Sequence, residues 1–270
     1  MKKNGKAAES SKRYLMDAVT KVKNIIMKIL GIDTNAKTRK GQKRGYMTGI
    51  TYLAPSDASG EINTCPNASK GCRAACLFTS GRGRMNPIKQ ARINKTKFFA
   101  KEKKVFMTQL DREILSLVKR ASKHSKTPCV RLNGTSDLPW ENIKLDDGRS
   151  IMEKWEGLQF YDYTKSLTRI ANYANGKLPS NYHLTFSRSE DTGEATVKDI
   201  LNRGVNVAVV YKDTLPIDDF DGVEVLNGDA DDLRFLDPIS KIVGLVYKST
   251  VATPEEWNGF VREYKEGEWV

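Results

Sequence analysis

Leu158-Gln159-Phe160-Tyr161-Asp162-Tyr163, then Leu167-Thr168-Arg169-Ile170-Ala171-Asn172-Tyr173, then Tyr182-His183-Leu184-Thr185-Phe186-Ser187: an aromatic-rich extended run passes into a short helical pattern and back into an extended run. Strand, helix and strand joined by short connections predict a parallel sheet. The same alternation extends in both directions. Further strand candidates lie at 46–53, 129–133, 205–211, 223–226 and 242–248. Helical spacing covers about 85–101, 104–123 and 195–201, the second with Phe106, Leu110, Ile114 and Leu117 on one face. About seven strands over some 220 residues suit a complete or partial TIM-like (β/α) barrel better than a doubly wound sheet. No glycine-rich nucleotide fingerprint follows the first strand, which also disfavours a Rossmann arrangement. The expected fold class is therefore α/β. Residues 1–44 are expected to form a basic helix (roughly 10–30) and linker, and 45–270 a single barrel-like domain with a Cys-rich loop after its first strand.

The 270 residues carry a formal charge of +12, unevenly spread. Residues 1–104 hold 24 Lys+Arg against 6 Asp+Glu, and the remainder hold 21 against 27. Local clustering of this kind attracts polyanions and releases their counterions, so nucleic acid, DNA first, is the expected partner. The residues expected to touch it are Lys37, Arg39, Lys40, Lys43, Arg44, Arg82, Arg84, Arg92 and Lys95. No apolar run approaches the roughly 20 residues of a membrane span, and no apolar stretch follows the basic N-terminus as a secretory signal would require. A membrane partner is not expected, and the expected location is the cytoplasm.

Three of the four cysteines, Cys65, Cys72 and Cys76, fall within twelve residues. A disulfide scaffold would be smaller and denser in cysteine, so the cluster points to a metal site, either zinc or an iron–sulfur cluster. At i, i+4, Cys72 and Cys76 should share one helix face. Both histidines are distant in sequence, which leaves the fourth ligand unassigned. Cys129 begins a strand and should lie near the opposite end, so a three-thiolate site with one open position is the expected geometry.

Parallel barrels gather their chemistry where strands end. Here those ends are polar: Asn133-Gly134-Thr135-Ser136-Asp137, Tyr161-Asp162-Tyr163-Thr164-Lys165, Ser187-Arg188-Ser189-Glu190, Asn227-Gly228-Asp229 and Lys248. Asp137, Asp162 and Asp229 are candidates for a nucleophile and a general acid/base. Asn133, Thr135, Tyr161, Tyr163, Ser187, Glu190 and Lys248 are candidates for substrate binding. Asp162 lies inside an apolar-aromatic stretch where an unpaired charge would be costly.

The segments around Asn63-Thr64-Cys65-Pro66 with Cys72 and Cys76, Arg131 to Asp137, Phe160 to Lys165 and His183 to Ser187 resemble the tailed-phage gene product 88 family over about residues 45–250. That resemblance implies a phage protein working in the bacterial host cytoplasm. More distantly, the chain is similar to transglycosylases that exchange guanine for a 7-deazaguanine, which implies Asp229 as nucleophile and Asp137 or Asp162 as general acid/base. Their zinc motif has tighter spacing, includes a histidine and lies late in the chain. The chain is also similar to radical-SAM enzymes in placing three cysteines after the first barrel strand, although the spacing differs. That similarity implies a [4Fe-4S] cluster with S-adenosylmethionine (SAM). The leading expectation is a base-exchanging glycosyltransferase acting on DNA with a free modified base. The alternatives are an iron–sulfur enzyme acting on nucleic acid and a non-enzymatic metal-containing DNA-binding protein.

Overall fold

The computed structural model describes residues 27–220, 222–248, 252–265 and 268–269. The helix expected at 10–30 falls almost wholly outside the described residues. Where its end is described, the chain is strand instead: β1 (Leu30–Ile32) pairs antiparallel with β2 (Tyr46–Thr51). Between them lies helix α1 (Ala36–Gly41), closed at its start by a capping box in which the Asn35 side chain accepts from Thr38 N. The stretch expected to be a linker is thus part of the fold.

From β2 onward the sequence pattern and the structure run together. The parallel strands are β2, β3 (Thr127–Arg131), β4 (Gln159–Thr164), β5 (Tyr182–Ser187) and β6 (Val207–Tyr211), each beside the next. After β6 the order changes. A two-stranded antiparallel turn-back, β7 (Asp218–Asp219) with β8 (Val223–Asn227), precedes β9 (Ile242–Val246), which inserts between β6 and β8. The short β10 (Val261–Arg262) pairs with the end of β6, where β5 no longer does.

A complete barrel is not formed. The ten-stranded sheet is open among the described residues, with β1 on one edge and β7 on the other. Closure would need a ladder between the first and last parallel strands, and the antiparallel β1 and β7 occupy those edges instead. Polar side chains span the opening. Lys37 Nζ donates to Gly228 O at 3.0 Å, Lys40 Nζ to Asp229 O at 2.9 Å, and Arg44 pairs with Asp231 at 2.8 Å.

Residues alternate between the two faces of the sheet. Val130, Leu132, Phe160, Leu184, Phe186, Val207 and Val209 join one large core with the apolar faces of α2 (Asn86–Lys101) and α3 (Lys103–Lys123), chiefly Phe98, Phe99, Phe106, Leu110, Ile114 and Leu117. Each such side chain contributes roughly 1.5–3 kcal/mol on burial. On the opposite face Cys129 and Tyr161 pack against Leu233, with Tyr46 and Phe235 beside them. The segment after β8 therefore lies across this second face. No helix among the described residues is long and apolar enough to cross a membrane.

Candidate functional site

The C-terminal ends of the parallel strands open into a cavity of about 1350 Å³. Cys65, Cys72 and Cys76 all line it. Their loop is tied down residue by residue. Thr64 Oγ1 donates to Ala54 O at 2.6 Å, and Asn63 Oδ1 accepts from Cys65 N at 2.9 Å. Ser69 caps the short helix Lys70–Ala74, accepting from Cys72 N, and its own hydroxyl donates to Glu190 at 2.6 Å. The other oxygen of Glu190 accepts from Gly71 N at 2.7 Å. Gly71 has no room for a side chain, since a Cβ would stand 2.0 Å from Trp257 O. The segment leading into β10 thus presses on the cysteine loop.

The helix ends at Ala74, so Cys76 does not share a helix face with Cys72, contrary to the i, i+4 expectation. Its backbone is extended (φ −60°, ψ 135°), and its sulfur accepts from Phe78 N at 3.5 Å. Cys65 Sγ reaches Thr135 O at 3.7 Å. Burial pushes all three thiols up, and with Cys72 and Cys65 adding to it Cys76 reaches about 11. Lys165 near Cys72 and Arg92 near Cys76 act in the opposite sense. Among the described residues no three His, Cys, Asp or Glu side chains stand close enough to hold a single metal ion. Cys129 lies off the cavity, fully buried, 3.3 Å from Thr48 Oγ1.

The three candidate aspartates are not brought together. Asp162 points into the helical side of the sheet, where it accepts from Asn133 N at 2.7 Å and Tyr182 OH at 2.9 Å. Burial raises its carboxyl to about 7 against the pull of Arg131. Asp137 lines the cavity but is paired with Arg169 at 2.7 Å and accepts from Lys165 N at 2.9 Å. Arg169 also forks onto Glu141 at 2.7 and 3.0 Å and meets Tyr182 OH at 2.8 Å, which completes a buried network. Asp229 lines the opposite wall. Burial opposes its ionisation, yet hydrogen bonds from Lys248 and Lys37, both at 2.6 Å, hold it down at about 2.

The candidate substrate residues divide likewise. Tyr163, Ser187 and Lys248 line the cavity. Asn133 and Thr135 also reach it, but their side chains are spent on the loop they belong to. Asn133 Oδ1 accepts from Ser136, Leu138 and Trp140, and Thr135 Oγ1 donates to Leu53 O. Tyr161 lies beneath the floor, its hydroxyl 3.2 Å from Asp232, and Glu190 holds the cysteine loop from behind. Of the basic candidates, Lys37, Arg39, Arg82, Arg92 and Lys95 line the cavity. Lys40 and Arg44 bind the 229–231 loop, while Lys43 and Arg84 are exposed outside the lining.

Two groups at the site lay in the polar segments of the sequence but were not selected as site residues. Arg131, paired with Asp232 at 2.9 Å and lying 4.7 Å above the Tyr163 ring, forms the floor. Lys165 donates to Ser187 O, Ser187 Oγ and Arg188 O at 2.9–3.1 Å, and burial lowers its pKa. Both stand at strand ends beside residues that were selected; the signal was a cation sharing a strand end with a candidate aspartate.

The family model for gene product 88 matches residues 27–257, nearly the whole of the described chain. The chain belongs to the gene product 88 family. No curated protein and no solved structure matches it. The matched span of this gene product 88 chain contains the cysteine loop, the cavity floor and every parallel strand except the short β10.

Proposed function

We propose that this protein is an iron–sulfur enzyme in which Cys65, Cys72 and Cys76 hold a [4Fe-4S] cluster at the strand ends and the remaining cavity receives SAM and a substrate. The observation that carries this reading is the placement of all three thiols, from the loop after the first parallel strand, in one large cavity. The donor chemistry fits. The set is three sulfurs with no histidine, and thiolates are the ligands of such clusters. In such a cluster each thiolate would bind a different iron. A partial barrel, singly wound from β2 to β6, is the scaffold this reading assigns to the open sheet.

A cluster held by Cys65, Cys72 and Cys76 would supply an electron for radical chemistry on SAM. The chain's own residues hold and shield it. Burial raises the three thiol pKa values, so binding a cluster would release their protons. Lys165 and Arg92 would offset the thiolate charge, and Trp257 and Phe260 close the back of the loop.

Base exchange by an aspartate is the second reading. It is favoured by Asp229, an ionised carboxylate in the cavity wall. Two ammonium groups on one oxygen make it a poor nucleophile, and Asp162 faces away from it. The discriminating experiment is anaerobic purification with iron, sulfide and zinc analysis. Iron and sulfide with absorbance near roughly 400 nm, lost in Cys65→Ala, Cys72→Ala and Cys76→Ala but kept in Cys129→Ala, are expected. Stoichiometric zinc without iron, or iron that survives all three substitutions, overturns the proposal.

A further inference from the structure

Ten Lys or Arg side chains and four Asp line the cavity. Each acid already has its cation: Asp229 has Lys37 and Lys248, Asp232 has Arg131, Asp137 has Arg169, and Asp57 has Arg73. Lys28, Arg39, Arg82, Arg92, Lys95 and Lys165 are left without a carboxylate ion pair among the described residues, Lys165 being held by Ser187 and Arg188 oxygens instead. Ionising all three thiols would halve the cationic surplus and not cancel it.

Arg92 is the most telling member. Its guanidinium lies 4.9 Å from the centre of the Tyr52 ring and 5.7 Å from that of Phe78, both of which line the same wall. Its Nη1 is buried and has no hydrogen-bond acceptor. A guanidinium nitrogen that is buried and left with an empty donor is costly unless a ligand completes it. The ligand it lacks is an oxyanion, for which the planar fork of arginine is well matched. Arg39 and Arg82, both exposed, extend the same unpaired charge outward along the rim.

We propose that this wall binds the phosphate backbone of an unpaired nucleic-acid strand, with Arg92 as the inner anchor and Arg39 and Arg82 as the outer contacts. The proposal names the substrate of the site described above and rests on that reading for its chemistry, though not for its binding. Three features favour a strand over a small anion. The unpaired cations run from inside the cavity to its rim. The cavity exceeds the roughly 300–1,000 Å³ that one small ligand fills. Tyr52, Phe78 and Tyr163 offer rings on which bases stack without regard to sequence. A duplex cannot enter such a cavity, so a paired nucleotide would first have to leave the stack.

The test is fluorescence anisotropy on the full-length protein with a labelled 20-nucleotide single-stranded DNA, the same sequence as RNA, and the corresponding blunt duplex. Single strands are expected to bind more tightly than the duplex, with affinity falling as salt rises. Arg92→Ala is expected to weaken binding about tenfold. Arg39→Glu and Arg82→Glu, at exposed positions that cannot unfold the chain, should each weaken it several-fold and flatten the salt slope by about one. Unchanged affinity in these two variants, a duplex bound as well as the strand, or competition by inorganic phosphate at equal concentration overturns the proposal. Iron content is measured on the same samples. Loss of iron with binding intact counts against the cluster alone, and loss of binding with iron intact counts against the strand alone.

Discussion

A carboxylate near the end of a strand can face either side of the sheet, and a one-residue step decides which. Asp162 follows Tyr161, which lies over the Cys129 face, and so turns into the helical side among Asn133, Tyr182 and the Arg169 network. Its folded pKa of about 7 stands well above the roughly 3.9 of a free aspartate. The folded chain therefore holds a proton that the unfolded chain has lost between those two values. The stability this proton confers is complete below about pH 4 and is lost as the pH rises through 7. Asp162→Asn removes the titration, so the stability difference between wild type and variant should drift by a few kcal/mol in the variant's favour between pH 4 and 8. Urea unfolding at several pH values checks this, and a difference that does not vary with pH contradicts it. The residue's burial was legible from its aromatic neighbours. Its side of the sheet was not, because polar strand ends look alike from either face.

At the scale of the element, the long helices and central strands were legible because hydrophobic spacing alone determines them. Residues 104–123 repeat apolar positions at helical intervals, and the helix found there is Lys103–Lys123. The cysteine loop was legible as a cluster but not as a shape. Ala74-Ala75-Cys76 has no helix breaker, yet the helix stops at Ala74 while Gly71 is pressed against Trp257, far away in the chain. Glu190 was marked as a substrate ligand from its strand-end position, and its true partners lie 119 and 121 residues away. It acts as a positioning residue for the helix that carries Cys72. Hydrogen bonds to a charged group are worth about 1.5–3 kcal/mol each, so Glu190→Ala should release this helix and lower iron retention by at least half. Glu190→Gln keeps one oxygen acceptor and should restore most of it. Iron content after desalting, read beside the thermal melt, separates this from general unfolding: equal iron in wild type and Glu190→Ala would show that the clamp does not position the thiols.

Across the whole molecule, the charge asymmetry of the sequence has two destinations. Part of it lines the cavity unpaired, and part is consumed inside the fold, where the basic 37–44 segment meets the acidic loop after β8. The sheet stays open at this seam, so the complete form of the expected barrel is not reached. Counting strands predicts how many there are, but the insertion of β9 between β6 and β8 depends on pairings distant in sequence. What joins the two ends of the open sheet is Asp229, bonded to Lys37, Lys248 and Val246 N, together with Arg44 on Asp231. Half-exposed pairs of this kind are worth about 0–1 kcal/mol each and are weakened by salt. Asp229→Asn should therefore shift the global unfolding midpoint only slightly while loosening the seam locally. Amide exchange at neutral pH should quicken in 36–44 and 227–232 together, in the variant and in wild type at high salt, with β3, β4 and β5 unchanged. The two segments are far apart in sequence and meet across the opening through these contacts and through Lys37 and Lys40 on the carbonyls of Gly228 and Asp229. Faster exchange in one without the other would mean that the ends of the sheet are held by something other than this bridge.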